Sequence, residues 1–473
     1  MSERASPPGH GRALDPVLIM LLAMIVAVAL TWLVPSGAYQ RAKADGAKGE
    51  ARDGPALVVA GTYRPLPKPL TPAALNPAYR PAPGMAAPAS PLALATAIPA
   101  GLVKSAGLVS MIMLLGGMFG VLRATGALDA GIERLIALSN GRPALLVPVL
   151  MLAISAGSTF LGLISEYLLL VPVMLGVAGR LGRPALFGFA LLTLAAKVGY
   201  LASVTNPVGL LVAQKVAGVA PFSGMGLRLG IWLGFLALAM GWVLRTGATS
   251  HAPPPPASAR LSPRHAMVLA VAALVVALLV HGSLARGWGD GEFAALFLCG
   301  AAGMAGAARM PASEAVTQFV GGMKGMVLAA LLVGMGRGTE LILRDAQVLD
   351  TLVYAMSQHV SGLPPALVAP ILMLFEMGLT LLIPSTSAKA ALSIPILAPI
   401  AAQAGVSGQT TVLAFLMGNG LVNMIAPTSG MLLAYLAAAD IPYGQWFRYV
   451  APLFALFAGL AVVILALAAA GGY

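Results

Sequence analysis

Long apolar runs interrupted by small polar residues set the pattern of this chain. The first covers residues 17–34, eighteen positions without a charge, behind Arg4 and Arg12. Further runs cover 107–122, 143–164, 167–178, 185–216, 227–244 and 266–280, then 293–308, 326–335, 366–383, 394–404, 411–425, 431–439 and 450–470. A full crossing needs about 20 residues of helix, and several runs are shorter. The short ones come in pairs broken by Ser, Thr, Asn, Gly or Pro, which predicts helices that stop inside the bilayer. A cleaved signal peptide competes for the first run, because Ser36-Gly37-Ala38 offers small residues. That run exceeds the usual ~7–15 apolar residues and many spans follow, so a retained transmembrane helix is expected.

Two stretches break the apolar pattern. Residues 40–92, rich in Pro, Ala and Gly, read as an extramembrane loop without helical or strand period. Residues 246–264, with consecutive prolines at 253–256, read as a linker between halves. The halves repeat one order of elements. A span is followed by an amphipathic stretch: Leu128, Ile132, Leu135 and Ile136 lie opposite Asp129, Glu133 and Arg134. In the second half Leu341, Val348, Leu349, Leu352 and Met356 lie opposite Arg344, Asp345 and Asp350. Such stretches suit interface helices. Each half then carries a broken pair (143–178 and 364–404), a run interrupted at Thr205-Asn206-Pro207 or Pro427-Thr428-Ser429, and a closing span. Asn206-Pro207 falls near Ala426-Pro427 in register, and Val171-Pro172 near Ile394-Pro395.

Basic residues set the orientation. Arg4, Arg12, Arg123, Arg180, Arg183, Arg245, Arg260, Arg264, Arg309 and Arg448 fall on one side if both broken pairs are re-entrant hairpins. The second half then starts in the opposite sense from the first. The expected architecture is an all-α polytopic membrane protein with about nine transmembrane helices, two re-entrant hairpins and two broken helices. Its parts are a cytoplasmic N-terminus with the first helix (1–39), an extracytoplasmic loop (40–92), a first inverted repeat (93–245), a cytoplasmic linker (246–264), two linking helices (265–309) and a second inverted repeat (310–473). Inverted repeats are the architecture many secondary transporters use for alternating access.

Composition narrows the class. Hydrophobic residues make up 59% of 473 and charged residues 9%, against roughly 25% charged in an ordinary soluble domain. Surface-to-volume scaling leaves a soluble chain no room to hide so much apolar side chain. A soluble enzyme, a nucleic-acid binder and a disulfide scaffold are excluded as whole-chain readings. The net charge of +12 comes from arginines placed singly at run ends, not from a phosphate-binding stripe. Cys299 is the sole cysteine, and His10, His251, His265, His281 and His359 lack metal-ligand spacing. Gly336-Arg-Gly lacks the context of a dinucleotide loop, no Walker sequence appears, and no Ser/His/Asp arrangement can be drawn.

The second half carries Pro384-Ser-Thr-Ser-Ala-Lys-Ala-Ala-Leu-Ser-Ile-Pro395 and then Leu416-Met-Gly-Asn-Gly-Leu-Val-Asn-Met-Ile-Ala-Pro-Thr-Ser-Gly430. With Thr205-Asn206-Pro207, Trp32-Leu-Val-Pro-Ser-Gly-Ala-Tyr39 and Ile441-Pro-Tyr-Gly-Gln-Trp446, these resemble the YfcC-like, C4-dicarboxylate anaerobic carrier family. The family belongs to the ion-transporter superfamily, and the resemblance implies two hairpins and two broken helices in inverted halves. It spans dicarboxylate, amino-acid and short-chain fatty-acid carriers.

Broken helices inside a bilayer leave backbone groups that lipid cannot satisfy, so they must meet protein, a cavity or a ligand. Their N-termini attract carboxylates and their free carbonyls hold cations. The candidate substrate- or ion-binding residues sit beside such breaks: Ser158, Thr159, Thr205 and Asn206 in the first half, and Ser385, Thr386, Ser387, Asn419, Asn423, Thr428 and Ser429 in the second. Taken singly, such residues also simply cap helices or join neighbours. Glu166 and Lys389, each six residues before a proline, are the candidate charges. They form an ion pair or a shared polar cavity across the axis, act separately as a proton or cation carrier and a carboxylate anchor, or merely snorkel or serve as an inert structural pair. Lys197 and Glu376 adjoin no break and read as structural.

The expected function is secondary active transport of a small carboxylate-bearing metabolite such as a C4-dicarboxylate, by symport or antiport, in a bacterial inner membrane. A basic-amino-acid antiporter, a short-chain fatty-acid carrier and a passive channel are the rivals. No enzyme activity, cofactor or resident metal is expected beyond a transported cation, with Na+ and H+ as candidate coupling ions. The expected partners are the lipid bilayer and a small anionic or zwitterionic metabolite, with a homodimer as candidate assembly and no nucleic acid.

Overall fold

The computed structural model describes residues 16–42, 57–76, 79–138, 142–206, 209–246, 261–286, 288–360 and 362–473. Arg4, His10, Arg12, Pro207, His251, Arg260, part of the 40–92 loop and most of the linker lie outside the described residues, as do the expectations placed on them.

The first half contributes α1 (Pro16–Leu33), α2 (Ala93–Lys104), α3 (Ala106–Ala124), α4 (Ala127–Leu138), α5 (Pro143–Leu161), α6 (Val171–Arg180), α7 (Ala185–Ala202), α8 (Leu210–Val216) and α9 (Met225–Thr246). After α10 (Pro263–His281) come α11 (Asp290–Ala307), α12 (Ala312–Gly325), α13 (Val327–Asp345), α14 (Leu349–Val360), α15 (Pro365–Leu382), α16 (Thr386–Gln403), α17 (Gly408–Val422), α18 (Gly430–Ala439) and α19 (Tyr443–Ala470). Among the described residues, six helices are long and apolar enough to cross a membrane alone, and α12 with α13, bent by 41° at their break, is so as a pair. The protein is an all-α polytopic membrane protein.

The order α1–α9 matches α11–α19, with α10 between them. The packing follows the same match: α2 lies on α13 while α12 lies on α3, and α1 lies on α13 while α11 lies on α3. Small residues permit the close crossings. A Cβ on Gly101 would stand 2.1 Å from the Gly334 carbonyl oxygen, and one on Gly322 would stand 2.1 Å from that of Gly116. The sense is inverted. Thr246 at the end of α9 bonds the Tyr449 hydroxyl near the start of α19 at 2.7 Å, while Tyr473 beyond the end of α19 donates to the Gly224 carbonyl before α9 at 2.5 Å.

The apolar pattern explains which helices are central. Helix α7 is buried continuously from Phe187 to Ala202 and α17 from Thr410 to Val422. They pack on each other. A helix apolar on every side is one that protein or lipid surrounds completely.

Two local expectations change. The 40–92 region, read as lacking strand period, carries short strands in its first part: β2 (Arg41–Ala42) pairs with β3 (Leu57–Val58), and β4 (Arg64–Leu66) pairs with β1 (Ser36–Ala38) just before the region. Strands of two or three residues are too short for an alternation to be read. Asp350, placed on the polar face of an interface helix, is instead buried. Its carboxylate accepts from the Tyr39 N–H at 2.9 Å and pairs with Arg41 at 2.8 Å, fastening the loop to α14. Burial, with the Asp350 charge nearby, pushes the Tyr39 hydroxyl up to about 12. Lys68 fastens the other side, donating to the Thr31 and Val34 carbonyls at the end of α1. Its positive charge suits a helix C-terminus.

Candidate functional site

A cavity of about 440 Å³ opens where the two hairpin tips meet the break between α17 and α18. Ile164 and Ser165 reach it from the first hairpin, Ser385 and Thr386 from the second, and Asn423, Thr428 and Ser429 from the break. Lys197 and Tyr200 line it from α7, Arg337 and Glu340 from α13, and Asp290 from the start of α11.

Local sequence builds the second-half wall. After α15 ends, Ile383 is extended and Pro384 prevents the helix from continuing. Ser385 then caps α16, its hydroxyl accepting from the Ala388 N–H at 3.4 Å. Ser429 caps α18 in the same way through the Leu432 N–H, and donates to the Asn423 side-chain oxygen at 3.0 Å. Two helix N-termini therefore open on one cavity, each a source of positive partial charge. Capping and cavity-lining turn out to be compatible roles for the same serines.

The first half is built differently. Helix α5 ends on Gly162, whose φ of +76° is a left-handed conformation suited to glycine, and a 3-10 turn over Ser165–Leu170 leads into α6. Glu166 folds back on this turn: its carboxylate accepts from the Ile164 N–H at 2.9 Å and the Ser165 hydroxyl at 3.2 Å. It does not line the cavity. Ser158 donates to the Ala196 carbonyl at 2.7 Å, and Thr159 accepts from the Val204 N–H at 3.0 Å. Thr205 donates through its hydroxyl to Phe160 at 3.1 Å, and the Asn206 side chain accepts from the Gly209 N–H at 3.2 Å. Ser158, Thr159 and Thr205 tie α5 to α7 and to the break that follows it, and Asn206 satisfies the Gly209 N–H beyond the break. Two of the four polar sites foreseen in the sequence thus converge; Ser158-Thr159 and the first break stand apart, and the first hairpin reaches the cavity through Ile164 and Ser165 instead.

Lys389 does not pair with Glu166. Its Nζ lies 3.2 Å from Glu376 Oε2, within the same hairpin, donates to Thr380 at 2.6 Å and sits 4.7 Å from the Phe415 ring centre. Among the described residues Oε2 accepts no hydrogen bond, so the contact is a charge pair. From Thr380 a chain runs through Asn419 (3.5 Å) to Thr386 (3.2 Å) and the Tyr200 hydroxyl (2.5 Å) at the cavity wall. Read as structural because it adjoins no break, Glu376 sits in this buried pair. Its partner is thirteen residues away on the opposite arm, a spacing that no helical periodicity reports.

Lys197, read as structural on the same ground, lines the cavity instead. Its side chain is 1% exposed, and its ammonium faces the Tyr435 ring at 6.0 Å. Among the described residues it has no hydrogen-bond acceptor and no carboxylate partner. The available signal was one lysine in an otherwise uncharged run, where mid-membrane charge is costly enough to require a reason.

Ser387 faces a second cavity of about 760 Å³ on the loop side, lined also by Tyr39, Arg41 and Asp350. Arg337, Glu340 and Ser385 line both cavities.

A family model described as C4-dicarboxylate anaerobic carrier matches residues 15–245 and 256–470. The chain is 28% identical to YfcC of Escherichia coli, provisionally named a basic amino acid antiporter, over 78% of each chain. An uncharacterised protein of Haemophilus influenzae is 26% identical, over 75% of this chain and 73% of its own. Among solved structures, the YdaH transporter of Alcanivorax borkumensis aligns with a TM-score of 0.46 at 15% identity, covering 97% of this chain and 99% of its own. MtrF of Neisseria gonorrhoeae, titled as illuminating a class of antimetabolite efflux pumps, aligns at 0.41 and 15% identity, over 97% and 95%. With a family model matched along almost its whole length, the chain belongs to the C4-dicarboxylate anaerobic carriers, a family of membrane transporters.

Proposed function

We propose that this protein is a secondary active transporter of a small carboxylate-bearing metabolite, seated in a bacterial inner membrane with its N-terminus in the cytoplasm. The observation that carries this reading is Lys197: a buried ammonium with no hydrogen-bond acceptor and no carboxylate partner among the described residues, on the wall of a cavity that also receives two helix N-termini. A substrate carboxylate would supply the missing counter-charge through a charge-assisted hydrogen bond. A volume near 440 Å³ suits a small metabolite. The hairpins and broken helix meeting there support gated alternating access over a passive channel.

A second reading, a basic amino acid, is favoured by Asp290 and Glu340 on the same wall and by the name given to the Escherichia coli relative. Both readings place the carboxylate at Lys197. Counterflow in proteoliposomes against a panel of dicarboxylates, short-chain fatty acids and amino acids tests them. The expected result is trans-stimulated uptake of at least one carboxylate, which a channel does not give, and its loss in Lys197→Met at normal protein yield. Counterflow by no member of the panel would overturn the reading.

A further inference from the structure

The central cavity and the loop-side cavity share a wall, and one cation stands in it. Arg337 and Glu340, one turn apart on α13, line both spaces, with Ser385 at the second hairpin tip beside them. Arg337 Nη1 donates to Glu340 Oε2 at 2.5 Å. That is the one hydrogen bond the guanidinium makes among the described residues, and a guanidinium has five N–H donors. The Arg337 side chain is 31% exposed and the Glu340 side chain 6%. The other arginines of the loop-side cavity are engaged away from the shared wall: Arg41 makes two bonds to Asp350, and Arg344 two to Asp345.

We propose that Arg337 is a carboxylate-binding residue through which substrate passes between the loop-side cavity and the central cavity, with Glu340 as the positioning residue that holds the guanidinium in the wall. The unused N–H donors form the fork that recognises a planar carboxylate. Glu340 occupies one edge of that fork, so substrate takes the remaining donors, or displaces Glu340 when moving inward to Lys197. The loop-side cavity is then an antechamber that takes the same class of anion as the centre. Its walls are fixed by the Arg41–Asp350 pair, which binds the loop to α14.

The inference rests on the carboxylate-transporter reading, and the experiment separates the two. Apparent affinity for a carboxylate that the wild-type protein counterflows is measured in proteoliposomes for Arg337→Gln, Arg337→Lys and Glu340→Gln. Arg337→Gln is expected to weaken apparent affinity tenfold or more. Arg337→Lys keeps the ion pair with Glu340, and so the fold, but loses the fork, and is expected to weaken it several-fold. Glu340→Gln is expected to tighten it several-fold, because the neutral amide still positions the guanidinium but no longer offsets its charge. A purely structural pair predicts losses of the same sign from both partners together with lower yield. Unchanged affinity in Arg337→Lys, or weaker binding in Glu340→Gln, would overturn the assignment while wild-type counterflow leaves the transporter reading standing.

Discussion

Lys389 and Glu376 face each other across the two arms of the second hairpin, Nζ to Oε2 at 3.2 Å, with side chains 0% and 2% exposed. Neither stands free to meet a ligand: Lys389 also donates to Thr380, and Phe415 covers its ammonium. Removing one member of a fully buried pair leaves an uncompensated charge, at a cost of about 3–5 kcal/mol. Glu376→Gln and Lys389→Met are therefore each expected to lower yield and thermal stability in detergent sharply. The double variant Glu376→Gln/Lys389→Met is expected to recover most of the loss. A double variant as unstable as the worse single one would show that the pair is not what holds the arms together.

The two asparagines at the breaks are expected to behave differently. Asn206 is buried and supports the first break by accepting from Gly209, so Asn206→Ala should lower stability more than apparent affinity. Asn423 lines the cavity and accepts from Ser429, the cap of α18, so Asn423→Ala should reduce transport with little loss of yield. Initial-rate uptake at limiting and saturating substrate, normalised to protein, separates these outcomes. Equal transport defects in both would return the first break to the binding site.

The hairpins and the second break were legible because hydroxyl and amide side chains inside apolar runs have few reasons to be there. Ser385, Thr386, Asn423, Thr428 and Ser429 were found in this way, and all line the cavity. The same signal also marks Ser158, Thr159 and Thr205, which tie α5 to α7 and its break through backbone groups of Ala196, Val204 and Phe160 and leave the cavity wall to others. Lys197 and Glu376 show the limit of reading by neighbourhood, since what gives each its role comes from a different helix or the opposite hairpin arm. The exchange of α2 and α12 between halves was invisible for a related reason. Glycines at 101 and 322 carry no hydrophobic pattern, and only the close approach of a second backbone makes them necessary.

That close approach gives a test of the swapped packing. Gly101→Val and Gly322→Val each place a branched side chain against a facing backbone carbonyl, which cannot move aside as a flexible side chain would. Both are expected to abolish the monodisperse peak in size-exclusion chromatography. Gly321→Val is the control: a Cβ there meets nothing within 4 Å, and it should behave as wild type.

The inverted relation of the halves makes a prediction about sidedness. Thr246 and Tyr449 share one face of the molecule, and Tyr473 shares the other with Gly224 and Ser407. Reporter fusions at position 258 and after Tyr473 should therefore report opposite sides of the membrane. The positive-inside distribution further expects position 258 in the cytoplasm. Both reporters on one side would contradict the antiparallel packing of α9 and α19.

Glu166 poses the sharpest choice between a structural and a transport role. Its carboxylate accepts two hydrogen bonds from its own turn, and the Tyr435 hydroxyl donates to the Ile164 carbonyl beside it. The tip is thus held in place while Ile164 and Ser165 face the cavity. If positioning the tip is the whole role, Glu166→Gln keeps a side-chain oxygen acceptor at that site and should transport nearly as the wild type, accumulation against a gradient included. Glu166→Ala removes the acceptor and leaves the half-buried Ile164 N–H without it, a loss of about 1 kcal/mol, the low end for an unpaired donor. It should raise the apparent KM while leaving the maximal rate closer to wild type, because the tip loosens and the rest of the cavity is unchanged. A carboxyl that carries a coupling proton predicts the reverse order. Glu166→Gln would then lose gradient-driven accumulation while keeping exchange, since glutamine accepts a hydrogen bond but cannot take up and release the proton. Accumulation and exchange measured on the same Glu166→Gln proteoliposomes decide between them, and the geometry of the turn predicts that both survive.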